Sequence, residues 1–299
     1  MKPDGGHGAG TALAILAAFG FSFKAILVKL AYPHGVDAVT LLALRMACAL
    51  PVFLWVGFAS SRGAAHLPPR AWAGVVVMGL AGYYGASIFD FLGLQYISAG
   101  LERLILFTYP TLTLLFGMAL ARRLATRREV AALALCYLGI GAAFWHDLEF
   151  AGDPASIWLG AGLVFASALS YAIYLTGSAG LIARLGAARF SALAMLVSTA
   201  AVFGHFLAVQ PLDALVQPWP VYGYALAMGL FSTVLPVFAQ SAAIRRIGSA
   251  RVALVSMLGP LATIGLAGWL LAEPLSPAQL GGAVLVIAGV ALAGRRGTR

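Results

Sequence analysis

The chain has 299 residues, 62% hydrophobic and only 10% charged, with a mean hydropathy of +0.94. Soluble domains carry about a quarter charged residues and about half apolar ones, so a single aqueous core is excluded and lipid is the natural solvent. The formal charge of +9 does not point to nucleic acid, because the basic residues stand in short clusters between apolar runs, as they do in cytoplasmic loops.

Ten apolar stretches approach the roughly 20 residues needed to cross a bilayer core. The first, 10–31, follows a glycine-rich leader with no cleavage site, reads as a retained helix, and carries Lys24 and Lys29. The second, 36–58, holds Arg45 and Cys48. The third, 70–95, places Tyr83, Ser87 and Asp90 at i, i+4 and i+7 on one face, with Tyr84 beside them. The fourth, 99–121, opens on Glu102 and Arg103 and has Tyr109-Pro110 at its middle; the fifth, 127–146, contains Cys136. Neither cysteine has metal-ligand spacing, and both read as small apolar groups.

The sixth, 156–177, carries Ser167, Ser170, Tyr171 and Tyr174 on one face, and the seventh, 186–208, brings His205 to the interface. The eighth, 219–242, offers Ser232, Pro236 and Gln240; the ninth, 248–270, offers Pro260 and Thr263. The tenth, 276–295, has Gly282 and Gly289 on a small-residue stripe that suits packing within the chain or against a second copy, leaving monomer and homodimer both open. No soluble domain fits between these stretches.

With a cytoplasmic N-terminus, fifteen of the nineteen Lys and Arg residues fall in inside segments, while Asp37, Asp147, Glu149, Asp153, Asp213 and Glu273 fall outside. Both termini are therefore expected inside. Trp145, Trp158, Trp219 and Trp269 then lie near the outer interface, and Trp55 and Trp72 near the inner one. A gapless shift of 150 residues lays the chain on itself. Pro110 meets Pro260, Ile97 meets Ile247, and Ala132–Ala143 overlays Gly282–Ala293. The basic loop ARRLATRREV becomes the acidic LAEPLSPAQL. Five helices per copy with inverted loop charge predict an all-α membrane protein of two inverted five-helix repeats, 1–150 and 151–299, around a central cavity, a common plan of secondary transporters.

Ionisable groups near the bilayer centre cost roughly 2.5–3.5 kcal/mol on insertion scales, so Lys24 or Arg45 is expected to pair with Asp90, the three forming either a charged vestibule or a structural gate, with Asp90 also a candidate proton site. Glu102 and Arg103, one turn into their helix, read as structural or snorkelling groups. Phenols in hydrocarbon must find partners, which makes Tyr83, Tyr84, Tyr109, Tyr171 and Tyr174 the leading substrate-binding candidates, joined by Ser87, Asp90, Ser170 and Ser232. Pro110 and Pro260 each remove a helical hydrogen bond at equivalent positions and are candidate hinges.

Gly93-Leu-Gln-Tyr-Ile-Ser-Ala-Gly100 followed by Tyr109-Pro110, Ile247-Gly-Ser-Ala250 followed by Gly259-Pro260, and Glu273-Pro-Leu-Ser-Pro-Ala-Gln-Leu-Gly-Gly282 running into Leu285–Val290 resemble the EamA family of the drug/metabolite transporter superfamily. Arg45 and Lys29 fit the resemblance, whereas Arg122-Arg123-Leu124 departs from the Glu-Pro-like step frequent there. The resemblance implies a ten-helix transporter with helices 5 and 10 peripheral, exporting amino acids or related metabolites across a bacterial inner membrane. The expected partners are a small-molecule substrate and membrane lipids, with no nucleic acid. The absence of a G-x-x-x-x-G-K-[ST] loop argues against ATP-driven transport, and no metal or cofactor is expected. The competing classes are an intramembrane enzyme acting on a lipid-linked substrate, for which only the Asp90 region would qualify, and a channel.

Overall fold

The computed structural model describes residues 5–64, 66–120, 122, 124, 126–149, 153–247, 255, 258–273 and 276–294. The helical segments of the described residues follow in chain order, apart from short 3-10 turns. They are α1 (Gly5–Ala31), α2 (Ala38–Ser61), α3 (Pro69–Gly93), α4 (Ala99–Leu120), α5 (Arg127–Glu149), α6 (Pro154–Leu185), α7 (Ala187–Val209), α8 (Trp219–Gly229 continuing to Ile247), α9 (Gly259–Leu270) and α10 (Pro277–Gly294). The first eight contain apolar spans long enough to cross a membrane; α9 and α10 are shorter apolar helices. Residues 248–254 of the predicted ninth span lie outside the described residues.

Local chemistry sets the boundaries. Asp37 caps α2 by accepting from the Val39 and Thr40 amides at 2.9 and 3.0 Å, and Ser98 caps α4 by accepting from Leu101. Thr126 and Glu129 bond reciprocally in a capping box ahead of α5. Asp153 caps α6; hydrogen bonds from the Ser156 hydroxyl and the Ala155 amide stabilise its carboxylate and hold it below the usual carboxylate range. Gly186, at φ +78°, makes the tight turn from α6 to α7.

Two helices are interrupted by π-helical turns, at Leu80–Gly85 in α3 and at Leu230–Val234 in α8. The interruptions start 150 residues apart. α4 breaks between Leu106 and Tyr109, so Pro110 lies in the first turn of a restarted helix, where its missing N–H costs little. Pro260 occupies the same place at the start of α9. Neither proline sits as a kink inside a continuous helix, which corrects the expected geometry.

One core joins α1, α2, α3, α7 and α8, and a second joins α4, α5, α6, α9 and α10. α5 and α10 pack antiparallel at the edge with backbone nearly touching backbone. A Cβ at Gly139 would lie 2.5 Å from the Gly282 carbonyl oxygen, and one at Gly289 would lie 2.6 Å from that of Ala132. The glycine stripe of α10 is thus filled from within the chain. Between these contacts the Cys136 thiol faces the Val286 carbonyl at 3.7 Å. Outward-facing side chains are largely apolar, and the tryptophans sit at the surface, from Trp72 at 42% exposed to Trp219 at 84%, as lipid-facing and interfacial groups do.

Candidate functional site

A cavity of about 970 Å³ runs through the middle of the bundle. At one end lie Lys24, Arg45 and Arg103; at the other it reaches the α6–α7 turn at Gly186–Arg189 and Ser60 near the end of α2. The Arg189 side chain bonds Ser61 across this mouth. The opposite end is sealed. There Tyr32 donates to the Phe91 carbonyl, Tyr84 meets His205 at 3.0 Å, and Glu273 accepts from the Ala99 amide at 3.1 Å.

The charged side chains of the cationic end come from four helices, α1 to α4, and their hydroxyl partners from α8 and α9. Lys24 of α1 meets Asp90 of α3 at 2.6 Å and Glu102 of α4 at 3.6 Å, and both carboxylates are buried, at 1% and 0% exposed. Arg103 is anchored through its Nε to Thr263 of α9 at 2.9 Å and through an Nη to the Phe21 carbonyl. Arg45 of α2 gives its Nε to Thr233 in the π-turn of α8 at 2.9 Å and lies over the Phe91 ring, 5.4 Å from its centroid. Of the two partners the sequence offers Asp90, it is Lys24 that pairs with it. Of the two readings of Arg103, structural or snorkelling, the geometry matches the structural one: it is buried, and its fork is held by α9 and α1, an engagement that no spacing within α4 reveals. Glu102 is fully buried behind Lys24 and also does not snorkel.

Aromatic groups form the opposing wall. The Tyr83 and Tyr174 hydroxyls bond at 2.9 Å; Tyr171 packs edge-on to Tyr109 and stacks on Tyr174, with centroids 5.0 and 5.6 Å apart. Tyr83, Ser87, Tyr109, Tyr171, Tyr174 and Ser232, with Lys24 and Arg45, line the cavity. Three predicted binding residues do not. Tyr84 turns to His205 on α7, since adjacent residues of a helix point about 100° apart and Tyr83 already faces inward. Ser170 donates to the Ala81 carbonyl at 2.7 Å, within the π-turn of α3. Asp90 stands behind Lys24 and acts on the cavity through it. Arg103, Phe107, Thr233 and Arg189 line the space without having been predicted to. The Arg103 charge was the one available signal; Thr233 is one hydroxyl among many in the sequence.

The family model "EamA-like transporter family" matches residues 8–145 and again 158–295. The chain belongs to the EamA-like transporter family. It is accordingly a multi-pass membrane protein and a transporter rather than an enzyme. It is 28% identical over 94% of its length to the uncharacterized transporter YcbK of Bacillus subtilis, covering 92% of that protein. It is 25% identical over 72% of its length to the uncharacterized transporter YyaM of the same organism, covering 70%. A solved crystal structure with 18% sequence identity superposes over 96% of both chains with a TM-score of 0.67, so the fold is shared.

Proposed function

We propose that this EamA-like chain is a ten-span secondary transporter of the bacterial inner membrane, with both termini cytoplasmic. On this reading it exports small polar metabolites, amino acids or related compounds, by alternating access of two inverted halves, 1–150 and 151–299. The observation that carries the reading is the recurrence of contacts under a 150-residue exchange. A two-fold relation between halves maps a contact between i and j onto one between j−150 and i+150.

A Cβ at Gly10 would lie 2.5 Å from Cγ2 of Ile247, and one at Gly160 would lie 2.8 Å from Cγ2 of Ile97. The contact of Gly139 with Gly282 maps onto that of Ala132 with Gly289, and Cys136 with Val286 maps onto itself, marking the axis. A Cβ on Gly20 would lie 2.8 Å from the Phe231 carbonyl, and its counterpart Ser170 bonds the Ala81 carbonyl. The paired π-turns flank the cavity on both sides of this axis, as interruptions at a transport site do. The cavity reaches the α6–α7 turn, on the side of the loops expected to be cytoplasmic, and is closed at the end that holds Lys24, Arg45 and Arg103, which on this reading is an inward-facing state. Pro110 and Pro260, at the restarts of α4 and α9, are where each half can bend.

Proteoliposomes preloaded with a labelled amino-acid panel test the proposal. Unlabelled solute outside accelerates loss of label if the protein is a carrier. Chemical change of the solute would favour an enzyme, flux without counter-exchange a channel, and no flux across the panel would refute metabolite export.

A further inference from the structure

Four buried ionisable side chains, Arg45, Arg103, Asp90 and Glu102, meet the partly buried Lys24 at the sealed end of the cavity. With all of them ionised, one positive charge is in excess. Both carboxylates are turned to Lys24, and Arg103 spends its donors on Thr263 and the Phe21 carbonyl. Asp90 lies within electrostatic reach of Arg45 but is held at 2.6 Å by Lys24. Arg45, a residue of the cavity wall, is 6% exposed, and its Nη1 is buried without a hydrogen-bond acceptor. A buried, incompletely satisfied guanidinium is costly unless an anion completes it. Among the described lining residues there is no Asp or Glu, whereas Lys24, Arg45, Arg103 and Arg189 are cationic.

We infer that Arg45 is the anion-recognising group of the transport site and that the substrate presents a carboxylate to its Nη1, with an apolar or aromatic body against Tyr109, Tyr171 and Phe107. The inference rests on the transporter reading above and narrows it. Thr233 and the Phe91 ring hold the guanidinium in place before the ligand arrives. An ammonium group meets no carboxylate among the described lining residues, only hydroxyls and the Gln240 amide. A bare amine is therefore rejected, and in a zwitterion the carboxylate supplies the recognition.

The test uses the purified full chain in detergent and ligand-observed fluorine NMR with para-fluorobenzoate, para-fluorobenzamide and para-fluorobenzylamine, which share one body and differ in charge. In the wild type the benzoate binds at least about tenfold more tightly than the benzamide, as a charge-assisted hydrogen bond in a partly dry site provides, and the benzylamine binds no better than the amide. Arg45→Gln brings the benzoate down to the benzamide's affinity, and Arg45→Lys restores part of the preference. Thr233→Val, which removes the hydroxyl behind the guanidinium, weakens the benzoate alone, and it decides the matter if Arg45→Gln does not fold.

Equal or undetectable binding of benzoate and benzamide in the wild type overturns the inference, as does a preference that survives these substitutions. Counter-flow in proteoliposomes runs in parallel. Flux without a carboxylate preference removes the role of Arg45 and leaves transport standing, whereas a carboxylate preference without flux removes transport and leaves the anion site.

Discussion

Replacing Lys24 by Met takes away the cation that two buried carboxylates share. At an effective dielectric of about 20, separations of 2.6 and 3.6 Å correspond to about 6 and about 5 kcal/mol of attraction. Desolvation of the ions offsets much of this in the native protein, but after the substitution it is offset by nothing. The net loss for breaking a buried pair is about 3–5 kcal/mol, and this one strands two acids. Asp90→Asn removes the shorter contact, relieves repulsion between the acids and leaves Lys24 with Glu102, so it should cost about 1–3 kcal/mol. Glu102→Gln, at the longer distance, should cost least.

The expected order of destabilisation is therefore Lys24→Met, then Asp90→Asn, then Glu102→Gln. Reversible unfolding in mixed detergent–SDS micelles, followed by tryptophan fluorescence, reads it. If Lys24→Met unfolds within about 1 kcal/mol of wild type, or if Asp90→Asn proves the more damaging change, the cluster is not organised around Lys24 and the reasoning fails.

Gly139→Val places a branched side chain against the Gly282 carbonyl and should cost about 1–3 kcal/mol in the same assay. Gly141→Ala, which meets open space two residues on, should be neutral or stabilising by up to about 1 kcal/mol; equal effects at the two positions would contradict the helix crossing described. Gly82→Ala would put a methyl group 2.3 Å from the Tyr174 ring, displacing that tyrosine and breaking its bond to Tyr83. Counter-flow should then drop about tenfold, a loss of some 1.4 kcal/mol in the transport step, and unchanged flux would remove this wall from the substrate path.

The spans were legible because length and apolarity are the only requirements for crossing lipid, and α2, α5 and α7 run within a few residues of their predicted limits. That Asp90 takes a partner from Lys24 or Arg45 was legible for a related reason, since a charge at that depth has few permitted partners; which of the two was not. The π-turns were not. A π-turn depends on what replaces the disrupted hydrogen bonds, and here the replacements come from across the bundle. The Ser170 and Ser167 hydroxyls donate to the Ala81 and Ala86 carbonyls in and just after the α3 turn. In α8, Thr233 donates to the Met228 carbonyl while accepting from Arg45. That traffic explains why a polar stripe on α6, read as substrate-facing, is divided. Tyr171 and Tyr174 meet the cavity, while Ser170 is spent on a neighbouring backbone.

The halves share a backbone plan but not a charge pattern, and the difference falls on the two ends of the cavity. Under the 150-residue shift Lys24 corresponds to Tyr174, Asp90 to Gln240 and Arg45 to Met195. The second set also lines the cavity, on the side that reaches the α6–α7 turn. The sealed end is thus tied by ions and the equivalent positions of the second half are neutral, so on the alternating-access proposal the state with the ionic end closed is electrostatically favoured. Supplying the missing charges should reduce that bias. Tyr174→Lys combined with Gln240→Asp places an ion pair where the first half has one. A partly exposed pair contributes about 1 kcal/mol, enough to shift a two-state balance about fivefold. A cysteine at Ser60, beside the open mouth, reports the change in a background lacking Cys48 and Cys136. A bulky polar thiol reagent should label it several-fold more slowly in the double variant than in either single one. Labelling as fast as in the single variants would show that the charge asymmetry between halves does not set which end is closed.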